Sequence, residues 1–261
     1  MSLTNKTIAS SYGDILQVDN SGSGRTANGT AIKDGLGQST ALTLGSDKVK
    51  ITPSSDSTTA VVVENASGTD LLVVDSSNSS VKAGTTQSYV NTQIKEFGVF
   101  DFSPTADTHH PMVAMNTMYS LGATAFSTIT DFGTGTDPAT TFAFSSGAEN
   151  IVPLYWYVPT AITIDEVRVI ASTDAADTLN FHLFSYAMGT GTGVGAGDLT
   201  DGTLLAHNGS SLTTGDDRIT TTTLTIDSAN TAADRVILAF VENVGDTNDI
   251  TAQLTVKYHY Q

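Results

Sequence analysis

Ile250-Thr-Ala-Gln-Leu-Thr-Val-Lys-Tyr-His-Tyr260 alternates apolar and polar residues to its end. Successive side chains of an extended chain point to opposite sides. Ile250, Ala252, Leu254, Val256, Tyr258 and Tyr260 therefore share one face, and Thr251, Gln253, Thr255, Lys257 and His259 share the other. This period predicts a strand buried on one side, with its second side wet or against a neighbour. Working back along the chain, 139–145, 152–158, 161–170, 178–186, 218–226 and 235–241 have a similar texture, and each is bounded by Gly, Asp, Asn or Pro. Seven or eight strands in about 120 residues, with no helical period between them, predict a β-sandwich or jelly-roll head over 99–261.

Composition agrees with an all-β chain. The 261 residues (27.1 kDa) are roughly a quarter Ser and Thr and hold 23 Gly, which suits strands joined by turns. With no Cys, disulfides, thiolate metal sites and cysteine nucleophiles are excluded. The 27 acidic and 11 basic residues give a net charge of −16, which argues against nucleic acid or an anionic membrane as partner. No apolar run reaches membrane-spanning length, and no signal-peptide core is expected in the opening Met1-Ser-Leu-Thr-Asn-Lys-Thr7.

The charge is uneven. Residues 1–95 hold seven basic and eight acidic residues, a net −1, whereas 96–261 hold four and nineteen, a net −15. A break of that size predicts a domain boundary near residue 95. Before it, short apolar pulses (14–18, 39–44, 49–51, 60–63, 71–74) lie between Gly, Asn, Asp and Ser clusters, and Tyr12 is the one aromatic residue before Tyr89. Strands this thin cannot close a private core, so a β-rich shaft over 21–84 needs stacked rungs or strands from identical chains; a disordered linker is the alternative. Residues 85–98 are predicted to form a short helix, with Val90, Ile94 and Phe97 spaced by four and three residues on one seam. Such a seam serves either as a coiled-coil clasp between chains or as a helix packed on its own domain.

Several residues are candidates for chemistry. The run Leu154-Tyr-Trp-Tyr157 lies next to prolines, and alternation predicts Trp156 inward with Tyr155 and Tyr157 outward. Exposed tyrosines beside carboxylates suit sugar rings, so Tyr155, Tyr157, Asp198 and Asp201 are candidate glycan contacts, with the glycine-rich loop 188–198 beside them. His109 and His110 are adjacent and serve as metal ligands only if copies of the chain bring them together on an axis. The Asp pairs 174/177, 198/201, 216/217 and 246/249 offer oxygen ligands of the kind Ca²⁺ takes, but turn formation on a solvated acidic surface is the better account of them, and no cofactor is expected. No Gly-x-Ser-x-Gly, His-Glu-x-x-His or P-loop motif is present, and no enzymatic activity is expected.

The segment Ala41-Leu-Thr-Leu-Gly-Ser-Asp-Lys-Val-Lys-Ile51, followed by Gly68-Thr-Asp-Leu-Leu-Val-Val-Asp-Ser-Ser-Asn-Ser-Ser-Val-Lys-Ala-Gly84, resembles the shaft repeats of bacteriophage tail and head fibres. In those repeats a short strand, an Asp/Asn/Ser turn and a Val-x-x-Gly return precede a helix and a globular tip. Residues from Ile151 through Pro159-Thr-Ala-Ile-Thr-Ile-Asp-Glu-Val167 to Tyr258-His-Tyr260 look like the β-sandwich tips of phage structural proteins. The resemblance implies a homotrimeric fibre or decoration protein on the virion exterior. Residues 1–20 would anchor it to other virion proteins, 85–98 would clasp the trimer, and the tip would face the host surface without catalytic residues. A carbohydrate-binding module of a bacterial surface protein is the alternative, with a polysaccharide depolymerase behind it.

Overall fold

The computed structural model describes residues 17–18, 29–34, 36–86, 88–114, 132–143, 148–191 and 195–261. They fall into two compact units, Met1–Val90 and Asn91–Gln261. Most of the proposed 1–20 anchor lies outside the described residues.

The first unit holds two four-stranded antiparallel meanders. One is β1 (Gln17–Val18), β2 (Thr30–Lys33), β3 (Ser39–Leu44) and β4 (Val49–Ile51); the other is β5 (Val61–Glu64), β6 (Asp70–Asp75), β7 (Ser80–Ala83) and β8 (Ser88–Tyr89). Side-chain carboxylates and amides shape the turns. Asp34 Oδ1 accepts the N–H of Leu36 and of Gln38 between β2 and β3, and Asn65 Oδ1 accepts those of Ser67 and Thr69 between β5 and β6. Asp75 takes the Asn78 amide at 2.8 Å and the Asn78 N–H at 2.9 Å, and these bonds hold its carboxyl below the usual carboxylate range. The strands they join bury very little. Among the described residues of this unit only Ile32, Gly45, Val73 and Asp75 are buried.

The helix expected over 85–98 does not form. Residues 84–86 make a turn, Ser88–Tyr89 is β8, and Thr92–Phe102 is the long strand β9. The segment is rich in Thr and β-branched residues, whose stiff side chains fit a pleated strand better than a helix. As a strand it splits the predicted seam: Phe97 is 1% exposed, Ile94 is 57% exposed on the opposite face, and Val90 stands in the preceding turn. A helical clasp of Val90, Ile94 and Phe97 is therefore withdrawn.

The second unit is a β-sandwich. Its front sheet runs β16 (Thr220–Thr223), β12 (Ile162–Thr173), β20 (Ile250–Tyr260), β9, with β18 (Asn230–Thr231) also on β12. Its back sheet runs β10 (His110–Pro111), β19 (Arg235–Asn243), β13 (Thr178–Met188), β14 (Leu199–His207), β17 (Thr225–Ile226), with β11 (Trp156–Val158) on β19 and β15 (Leu212–Thr213) on β13. The predicted apolar face of β20, from Ile250 to Tyr258, meets Val167 and Val169 of β12, Phe181 and Leu183 of β13, and Ile237 and Val241 of β19 in one core.

Three segments depart from single predicted strands. Residues 218–226 divide between β16 on the front sheet and β17 on the back sheet, with Leu224 buried at the crossing. In 152–158 only Trp156–Val158 is a strand, because Pro153, which has no N–H to donate, falls in a 3-10 turn over Ala148–Leu154. Within 139–143 only Phe142 pairs, as an isolated bridge to Leu199.

The back sheet is buried on both faces. Ile237, Ala239 and Val241 face the sandwich core, while Val236, Leu238 and Phe240 join Phe132, Phe184, Tyr186 and Leu199 in a second cluster beneath segment 132–143. Gly202 permits that cover: its N–H bonds to Thr140 O at 2.9 Å, and a Cβ there would stand 2.7 Å from Thr140 Cα. Asn208 ties the loop that follows β14 to β13. It accepts the Phe181 N–H at 2.6 Å and donates to Leu179 O and Ser210 O. Asn208→Ala orphans buried backbone groups and is expected to cost about 2 kcal/mol, measured by urea unfolding followed through Trp156.

Candidate functional site

The aromatic candidates separate on β11 and its approach. Trp156 packs inward against Phe97 (6.3 Å between ring centroids) and Tyr258 (4.7 Å). Tyr155 is half-buried against the back-sheet cluster; its hydroxyl donates to Gly197 O at 3.4 Å, and burial, with the Asp198 charge adding, raises its pKa. Tyr157 is 49% exposed, and its hydroxyl donates to Asp234 at 2.5 Å, a bond that raises the phenol pKa. Asp201 is exposed in β14, and its carbonyl accepts Arg235 Nη2 at 2.6 Å. So Tyr155 and Asp198 meet at the glycine loop, whereas Tyr157 belongs with Asp234. That loop is pinned at its base by Gly189 N to Asp198 O (2.8 Å) and Gly197 N to Gly189 O (2.7 Å), so closely that a Cβ on Gly189 would lie 2.3 Å from Gly195 O.

His109 and His110 go different ways, as neighbours on an extended backbone must. His110 Nε2 accepts the Thr105 N–H at 3.0 Å, and its ring meets Phe102. His109 is fully buried in its own chain, with Nδ1 3.1 Å from Gly133 O. A joint pair of metal ligands on an axis between copies does not form from this placement. Among the described residues no three His, Asp or Glu side chains converge to hold a metal. In the pairs 174/177 and 246/249 the carboxylates bond within loops: Asp174 Oδ1 accepts the Asp249 N–H, Asp177 Oδ1 the Asn248 amide, and Asp246 Oδ1 the Thr247 N–H.

A cluster that local sequence patterns did not reveal lies on the outer face of the back sheet. His182 of β13 is directly opposite His207 of β14, and their rings stack 6.2 Å apart. The His109 ring meets His182 edge-on at 4.9 Å. Three carboxylates surround this row: Glu242 at 3.6 Å from His109 Nε2, Asp137 at 3.5 Å from His182 Nε2, and Asp227 at 2.7 Å from His207 Nδ1. Glu242 also accepts the Asn180 amide at 2.8 Å. His109 Nε2 and His182 Nδ1 are buried without a hydrogen-bond partner among the described residues. Burial, then the neighbouring His109 and His207, push His182 down to a pKa of about 3, so it is neutral at physiological pH.

No protein-family model and no curated protein matches the chain. Among solved structures, a chain from the structure of infectious bursal disease virus Gx strain is similar at 10% identity and a TM-score of 0.26, over 64% of this chain. The present chain spans 32% of that protein's length. At that TM-score the shared geometry is too small to carry fold or function from one chain to the other.

Proposed function

We propose that the chain is a structural fibre or decoration protein of a bacteriophage virion. It works as a homotrimer, with its first unit as the shaft attached to other virion proteins and its β-sandwich as an exposed tip. One observation carries this reading: the described side chains of β2–β8 include two buried apolar residues, Ile32 and Val73, which is far too few to hold those seven strands folded in isolation. Apolar contacts missing within one chain are supplied when identical chains associate. The β6–β7 hairpin, with its Asp75–Asn78 turn and return to Gly84, has the strand–turn–return form of the shaft repeats that the sequence resembles. A net −15 over 96–261 keeps the tip off anionic surfaces and favours neutral host glycans. No catalytic step is part of the proposal.

Tyr157 is the proposed glycan contact. Its hydroxyl is tethered to Asp234 while the ring stays half exposed, which orients an aromatic face for stacking on a sugar. Several weak tips on one particle add by avidity. Tyr157→Ala is expected to reduce binding to host cells or a glycan array at least about tenfold, the loss of roughly one aromatic contact of 1.4 kcal/mol; unchanged binding removes Tyr157 from the site. Recovery of the chain from purified virions supports the virion role. Its recovery only from bacterial envelopes favours the carbohydrate-binding module instead.

A further inference from the structure

We infer that the outer face of the front sheet is where copies of the chain meet. This inference rests on the assembly proposed above and adds to it a contact surface on the second unit. Alternation along β9, β20 and β12 turns one face into the core and leaves the other outward. That outward face carries large apolar residues: Phe100 is 69% exposed, Ile219 is 73% exposed, and Ile94 and Ile170 also stand free of the core. Between Phe100 and the pair Ile170 and Ile219 runs a groove of about 390 Å³, floored by Gly98, Thr251 and Gln253. Exposed apolar groups arranged around a groove mark an interaction surface.

Charge identifies the occupant as a second copy. Residues 96–261 carry a net −15, so contact between two tips is repulsive over most of their surface. This face is the exception. It holds Glu96, Asp165 and Glu166 together with Arg168 and Lys257, and Asp165 is bonded to His259 at 2.9 Å. Two of the four basic residues in 96–261 thus stand on one sheet face, and a third, Arg218, precedes Ile219.

One row across the sheet carries opposite charges at its two ends, and within the chain Arg168 Nε also bonds to Glu166 at 2.5 Å. Register places Arg168 of β12 beside Thr255 of β20, and Thr255 beside Glu96 of β9. Acid lies at the β9 side and base at the β12 side of one row. In a closed ring the β9 side of each copy meets the β12–β16 side of the next, which brings Glu96 toward Arg168 and Phe100 toward Ile219.

The test is sedimentation equilibrium of the full-length chain and its variants, with Trp156 fluorescence checking that each is folded. Phe100→Asp is expected to raise the concentration for half-dissociation at least about tenfold. Glu96→Arg and Arg168→Glu are each expected to weaken assembly, and the double variant to restore it. If the wild-type chain assembles and these variants dissociate at its concentration, the face is wrong while the assembly reading stands. If the wild-type chain is monomeric throughout, the assembly reading fails, and this inference with it. Should Phe100→Asp not fold, the charge-exchange pair decides alone.

Discussion

Phe240→Ala is expected to lower the unfolding free energy of the Asn91–Gln261 unit by about 3–5 kcal/mol, the usual cost of emptying a large aromatic site that cannot collapse. Phe240 is fully buried, and its ring lies 4.9 Å from Phe132, 6.3 Å from Phe184 and 6.5 Å from Tyr186. These partners come from separate stretches: Phe132 from the covering segment, Phe184 and Tyr186 from β13. Two-sided burial of the back sheet therefore depends on this residue more than on any single residue at the sandwich edges. Urea unfolding followed by Trp156, the only tryptophan, reads the unit directly. A loss under about 1 kcal/mol, the scale of a half-exposed site, would mean that the outer cluster is not packed as described.

Acidification is expected to destabilise the same unit through His182. Its pKa in the folded chain, about 3, lies below the ordinary 6.5 because burial disfavours the imidazolium. Between those values the unfolded chain binds a proton that the folded chain refuses, so stability falls as pH drops below 6.5. One proton's difference corresponds to a slope of about 1.4 kcal/mol per pH unit. His109, His207 and Asp137 face the ring, so the informative quantity is the slope for wild type minus that for His182→Phe. Equal slopes between pH 6.5 and 4.5 would show that His182 does not carry the effect.

Much of the sandwich was legible because β12, β13, β19 and β20 are long and their apolar positions repeat. Ile250 to Tyr258 faces the core as its alternation required. Arg235–Asn243 is nearly continuous in apolar residues from Val236 to Val241, and such a run is the mark of a strand covered on both sides. Residues 85–98 misled because Val90, Ile94 and Phe97 satisfy a helical spacing by position, whereas the Thr-rich, β-branched chain around them favours a strand. Trp156 was placed inward by the period of two, and packs there. The histidine row was not legible. His109, His182, His207 and Glu242 are separated in sequence, and the registers of β13 with β14 and β19, together with β10 on β19, bring them together. Likewise, the pairing of acid and base on the front face follows from the registers of β12 with β20 and β20 with β9, which no local pattern encodes.

On the proposed reading, identical chains hold together a first unit whose described residues bury two apolar side chains. Sedimentation equilibrium of the full-length chain at micromolar concentration tests it most directly. The expected species has three times the 27.1 kDa chain mass; a folded, homogeneous 27.1 kDa monomer would contradict it.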